Sequence, residues 1–228
     1  MQATPPNGVE QILQYTNRWI DNPVIDLMSP EGTFVRAAVE SLDRVRFGAG
    51  QGIKAIEDAG YPGFTRAFNG VDDLDDVAGN ARKDQAIVGT LYWEVVRFSV
   101  DQGVYTAGVC SYGSMAATKV WNGYKSSGRR SSGSARVISF RPDPTIPPDQ
   151  QRAPKSHQRG PAGSPVNDVF GTWVLSENKV LGANVELPQC EEKLAPGTPP
   201  DAPEDYYVST EPPPTLSPIP GWPEAPNE

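Results

Sequence analysis

Proline placement divides this chain before any other feature is read. Of its 24 prolines, seven fall within residues 141–168 and eleven within the last 33 residues, from Pro196 onward. A proline lacks a backbone N–H and fixes φ at about −65°, so it is shut out of helix interiors and central strands. Regular structure is therefore concentrated before residue 141 and in a short stretch near 169–195. The remainder must be loop or extended chain, and the tail reads as polyproline-like. A length of 228 residues suits one domain with a real core and hardly allows two. The expected organisation is a single domain over 1–195, containing the proline-rich loop 141–168, followed by an acidic proline-rich tail over 196–228.

Within the regular regions the apolar period changes once. Residues 9–20 carry Val9, Ile12, Leu13, Tyr15, Trp19 and Ile20 near helical spacing, and Asn22-Pro23 ends the run. Ser29, Pro30 and Glu31 make a helix start. Phe34, Val35, Ala38, Leu42 and Val45 follow at three- and four-residue steps until Gly48. Shorter helices are expected at 51–58 and 64–68. From Gln85 the pattern becomes that of strands, at 87–98, 104–118, 134–140, 169–175 and 184–187, with a turn at Asp101–Gly103. Residues 121–133 read as a Ser/Gly-rich loop. Helices first and strands after predict an α+β fold, with N-terminal helices packed on a curved antiparallel sheet and an extended proline-rich C-terminal tail. Aromatics of the strand region, Trp93, Tyr112, Trp121, Phe140 and Trp173 among them, are expected in the core, with some lining a pocket for a small hydrophobic ligand.

Two cysteines, Cys110 and Cys190, are present. One disulfide is expected, because Cys190 lies in the polar stretch LPQCEEK, which suits a buried free thiol poorly; two separate buried thiols are the other reading. A bridge implies an oxidising compartment.

The formal net charge of −8 is unevenly spread. Residues 119–159 hold nine bases against two acids, whereas the tail holds six acids and no base. The basic sector is read as a solvated stretch that pairs with acidic parts of the same chain, with Arg129, Arg130, Arg152 and Lys155 as the candidate anion-binding set. An acidic molecule repels polyanions, so nucleic acid is not an expected partner.

Motifs for catalysis are sparse. His157, the single histidine, lies in a polar loop, and no G-x-S-x-G elbow accompanies it. One histidine and two distant cysteines make no familiar zinc set. The glycines at 48, 50 and 52 follow a helix rather than a strand, so they read as a helix stop rather than a phosphate cradle. The acidic run Asp72–Asp76 lacks EF-hand spacing and reads as a solvated loop. Glu94, between Trp93 and Val95, is expected to face solvent. No catalytic residue, metal or cofactor is expected.

The run PEGTFVRAAVESLDRVRF, the GYPGF corner and the strands TLYWEVVRF, YTAGVCSYGS and VFGTWVLSE together resemble the nuclear-transport-factor-2-like cone over about residues 9–187. That resemblance implies helices over a bent antiparallel sheet, often around a pocket. Some cone-fold enzymes use an acid and a tyrosine in such a pocket, which would point to Glu94 with Tyr15 or Tyr92. The acidic, proline-rich character, PIPGWPEAP above all, is similar to exported proteins and lipoproteins of actinobacteria and implies a cell-envelope location.

No window approaches the ~20 apolar residues of a transmembrane helix. The opening MQATPPNGVE has neither the basic nor the apolar stretch of a secretory signal, which leaves a cytoplasmic protein or one whose signal has been replaced at Met1. The function expected from these readings is non-catalytic: an exported or envelope-associated binding or assembly protein. Its protein partner is expected to dock on the tail through Tyr206, Tyr207 and Trp222. A cone-class small-molecule binder or enzyme is the alternative.

Overall fold

A computed structural model describes residues 13–48, 52–68, 86–130, 133–180 and 182–225. The fold is α+β. Eight strands form one open sheet: β1 Leu13–Ile20, β2 Ile87–Asp101, β3 Val104–Tyr112, β4 Ala116–Val120, β5 Gly123–Ser126, β6 Ser134–Pro142, β7 Trp173–Lys179 and β8 Tyr207–Ser209. Among the described residues four helices accompany it: α1 Pro30–Phe47, α2 Gly52–Ala59, α3 Phe64–Ala67 and α4 Ala183–Glu186. The strand order β7-β6-β3-β2-β4-β5-β8 is antiparallel throughout, and β1 pairs in parallel with the free edge of β2.

The helix expected over 9–20 is the first correction. Residues 9–12 lie outside the described residues, and Leu13–Ile20 is a strand whose buried positions Leu13, Asn17 and Trp19 share one face. Leu13, Tyr15 and Trp19 satisfy a period of two as well as a helical one. The long strand β2, paired from Leu13↔Ile87 to Ile20↔Glu94, decides between them. The strand expected over 104–118 is broken at Gly113–Met115. β3 covers the C-terminal part of β2 and β4 takes over at Gly89↔Ala116. Gly89 permits this exchange: its φ is +101°, and a Cβ there would lie 2.5 Å from the Met115 carbonyl oxygen and 2.8 Å from Pro213 Cγ. The loop read at 121–133 contains β5, and the strand read at 184–187 is the single helical turn α4.

α1 forms where its sequence starts it. Ser29 Oγ accepts from Gly32 N at 3.1 Å, with Pro30 in the first turn. Its apolar side packs on the sheet, with Phe34 stacked on Phe140 at 4.5 Å between ring centroids and Phe170 and Trp173 completing the cluster. Unlike a surface helix, α1 is buried almost all round. Its polar side lies beneath the proline-rich loop and the tail, since Arg36 donates to Gln158 O and Gly221 O at 2.8 Å each.

The tail is therefore not an appendage, which corrects its expected independence. Trp222 is 1% exposed and belongs to the main core. Residues 214–219 run along β1: Trp19 N donates to Ile219 O at 2.6 Å and Ile219 N to Asn17 O at 3.2 Å. Farther upstream, β8 extends the sheet by pairing with β5.

The opposite face of the sheet carries a second, smaller core of Tyr92, Cys110, Tyr112, Val137, Ala183, Leu187 and Cys190. Residues 182–195 cover it. The Cys110–Cys190 disulfide, with Cα atoms 5.2 Å apart, ties this cover to β3.

Candidate functional site: the cleft and hairpin at the far end of the sheet

α1 ends at Phe47, but the sheet continues beyond it through β4, β5 and β8. The face that is core beside α1 thus runs out into the open. There it forms a cleft of about 540 Å³, whose lining includes Phe47, Ile87, Leu91, Ala116, Val120 and, at the mouth, Lys125 and Tyr206. The register explains the placement. Ile87 pairs with Thr118, and Thr118 pairs with Lys125, so these three share a face. Thr118 and Ser127 add hydroxyls to the lining. Lys125 Nζ lies 5.1 Å from the centre of the Tyr206 ring, a cation–π contact. Lys125 is the charged side chain of that lining, and among the described residues no carboxylate is within ion-pair distance of it.

Beyond the cleft, the β4–β5 hairpin closes at Val120↔Gly123 and projects Trp121 at its tip. Trp121 is 96% exposed, whereas Trp19, Trp93, Trp173 and Trp222 are all buried. Tyr206, 67% exposed, and Val208, 47% exposed, are further uncovered apolar side chains, on or next to the tail strand β8 that pairs with β5. Trp121, expected in the core, is thus the most exposed large apolar residue among those described. The signal for its position was Asn122-Gly123, a tight-hairpin dipeptide between two short β-prone runs. Lys125 had no signal of its own, because the residues around it come from distant elements.

The expected partner anchors separate. Tyr206 lies on the surface, Tyr207 is half-buried in β8 and Trp222 is in the core, so Trp222 offers no docking surface. A tryptophan that seals α1 gains more from burial than a proline-rich tail gains from leaving it free. The four basic residues do not form one patch. Arg129 donates to Pro200 O at 2.9 Å and pairs with Glu204 at 3.3 Å beside β8. Arg152 and Lys155 lie at the opposite edge of the sheet, where Thr172 N donates to Arg152 O and Lys155 N to Val169 O. The Arg130 side chain lies outside what is described. Basic sector and acidic tail do meet at Arg129.

Two buried polar clusters show where other chemistry stands. Glu40 accepts from Trp19 Nε1 at 2.7 Å, Tyr61 OH at 2.7 Å and Trp222 Nε1 at 2.9 Å, while the Arg36 guanidinium lies 4.2 Å from the Trp222 ring centre. Burial raises the Glu40 carboxyl, opposed by Arg36 and those three donors. The donors come from β1, from the corner between α2 and α3 and from the tail, so the carboxylate ties three distant segments together and acts as a latch. One turn on, Asp43 accepts from Tyr15 OH at 3.0 Å, and burial pushes its carboxyl up to about 6 against the pull of Arg136.

On the other face, Glu94 is only 4% exposed, which corrects its expected solvent-facing position. It accepts from Tyr112 OH at 2.8 Å, Asn22 Nδ2 at 3.0 Å and Lys193 Nζ at 3.0 Å. Its burial favours the neutral form, but these donors outweigh it and hold the carboxyl below its ordinary value. Tyr15 and Glu94 belong to different clusters, on opposite faces of the sheet. Tyr92 belongs to the smaller core beside Glu94.

His157 is exposed, with its backbone N–H bonded to Met28 O. The Asp72–Asp76 run and glycine 50 lie outside the described residues. Among the described residues, no group of three or more His, Cys, Asp or Glu gathers to hold a metal ion, and no helix is long and apolar enough to cross a membrane. No family model, curated protein or solved structure matches the chain.

Proposed function

We propose that this is a non-catalytic binding protein of an extracytoplasmic compartment, and that it engages its partner through the β4–β5 hairpin tip and the neighbouring tail. The observation that carries this reading is Trp121, 96% exposed at the end of a projecting hairpin whose β5 strand pairs with the tail strand β8. Leaving a tryptophan in water forgoes the burial that the other four achieve, and such residues dominate interfaces where they occur. A carboxylate held by three structural donors, as at Glu40 and again at Glu94, suits framework rather than turnover. The buried Cys110–Cys190 bridge supports an oxidising compartment such as the cell envelope.

The reading is tested in the producing cell by native size fractionation of the chain and of a Trp121→Ser variant. The wild-type chain is expected in a complex larger than its 24.6 kDa mass, and the variant as the free chain with unchanged thermal unfolding. A wild-type chain that fractionates alone, or a variant that stays in the complex, contradicts it.

A further inference from the structure

The cleft beneath the hairpin has a chemistry distinct from the tip above it. Its floor and walls are apolar: Phe47 from the last turn of α1, Ile87 and Leu91 from β2, Ala116 and Val120 from β4. Its volume of about 540 Å³ falls in the range of roughly 300–1,000 Å³ that takes small molecules. At the mouth stands one cation, Lys125, with its ammonium against the Tyr206 ring and the hydroxyls of Thr118 and Ser127 among the lining groups. No acidic side chain is among the described lining residues. The chain carries a net charge of −8, so an anion is repelled by the molecule as a whole and is favoured only where cations are gathered. Lys125 is the cation that the described lining supplies; Lys119, paired with Tyr124, lies on the other face of the hairpin.

We infer that the cleft binds a small amphipathic carboxylate, with its apolar chain along Phe47, Leu91 and Ala116 and its head at Lys125. A neutral apolar molecule would make no use of the Lys125 charge, and an amphipathic cation would be set against it. An ammonium already resting on an aromatic face needs little rearrangement to meet an anion. Tyr206 gives the tail a role at this site, because a tail residue forms part of the mouth.

This inference rests on reading this end of the sheet as the binding surface, and the test separates the two. Isothermal titration of the full chain compares dodecanoate, dodecanol and dodecyltrimethylammonium. Dodecanoate is expected to bind one to one, and the trimethylammonium compound at least about tenfold more weakly. Lys125→Gln is expected to weaken dodecanoate about two- to fivefold, the scale of an exposed ion pair, and to leave dodecanol unchanged. Thr118→Trp, at a half-buried strand position, fills the cleft and is expected to abolish both, with the melting transition checking that the variant folds. Trp121→Ser is expected to leave dodecanoate binding intact. No dodecanoate binding, equal binding of the cationic amphiphile, or binding that survives Thr118→Trp overturns the inference. If those failures occur while Trp121→Ser still dissolves the larger complex, the cleft ligand alone is wrong and the docking surface stands.

Discussion

Asp43 and Glu40 lie one turn apart on α1, both buried, and burial raises both carboxyls. The consequence is a pH dependence opposite in sign to that of a salt-bridged acid. With its pKa raised from 3.8 to about 6, Asp43 holds more protons in the folded than in the unfolded chain. Its contribution is fully present below the unfolded value and is lost as pH rises through the folded one. A rise from 3.8 to about 6 corresponds to about 3 kcal/mol. Denaturant unfolding of wild type and Asp43→Asn between about pH 3 and pH 7 should show wild type losing about that much relative to the variant as pH rises. Parallel curves would mean that Asp43 titrates normally. Glu94 has the opposite sign, since its donors hold it below the ordinary value and its contribution fades as pH falls. Trp222, packed on Arg36 and bonded to Glu40, tests the latch: Trp222→Ala is expected to cost about 3–5 kcal/mol in urea unfolding. A loss under about 1 kcal/mol would show that the tail is not part of the core.

At the scale of elements, α1 was legible because its signals are local: the Ser29 cap, Pro30, and apolar steps of three and four. The strand-rich region after Gln85 was legible for the same reason. β1 was not, because Leu13, Tyr15 and Trp19 satisfy two periods and the deciding contact is a parallel pairing with β2. Neither was the division of β3 from β4, which depends on Gly89 accepting a positive φ opposite Met115. Trp222 stood out in the sequence, but its partner Glu40 lies 182 positions away, beyond any local pattern. The same distance effect hid the cleft, since Phe47, Leu91, Lys125 and Tyr206 meet only when four elements assemble. The cysteine pair was readable from their number and the polar surroundings of Cys190. Their bridge holds the 182–195 cover on the sheet and closes a span of 80 residues, so replacing both by alanine should cost about 4 kcal/mol on the chain-entropy account. An unchanged urea midpoint would show that the cover is held by packing on Leu187 and Ala183 alone.

Over the whole molecule, the proline-rich segments close the structure around α1 rather than extend from it. The loop 141–168 supplies the Gln158 and Gly163 carbonyls to Arg36 and Tyr61, and the tail supplies Trp222 and β8. Truncation after Leu194 is therefore expected to remove the cooperative melt, where an independent tail would leave it intact. Among the described residues, the most exposed large apolar side chain is then Trp121 at the hairpin tip over the cleft. A photoreactive amino acid at position 121, compared in the producing cell with one at position 100, tests that assignment most directly. Val100 is also exposed and apolar, but it lies at the opposite end of β2. A discrete adduct is expected from position 121 and none from position 100. Adducts of equal yield at both positions, or none at 121, would contradict it.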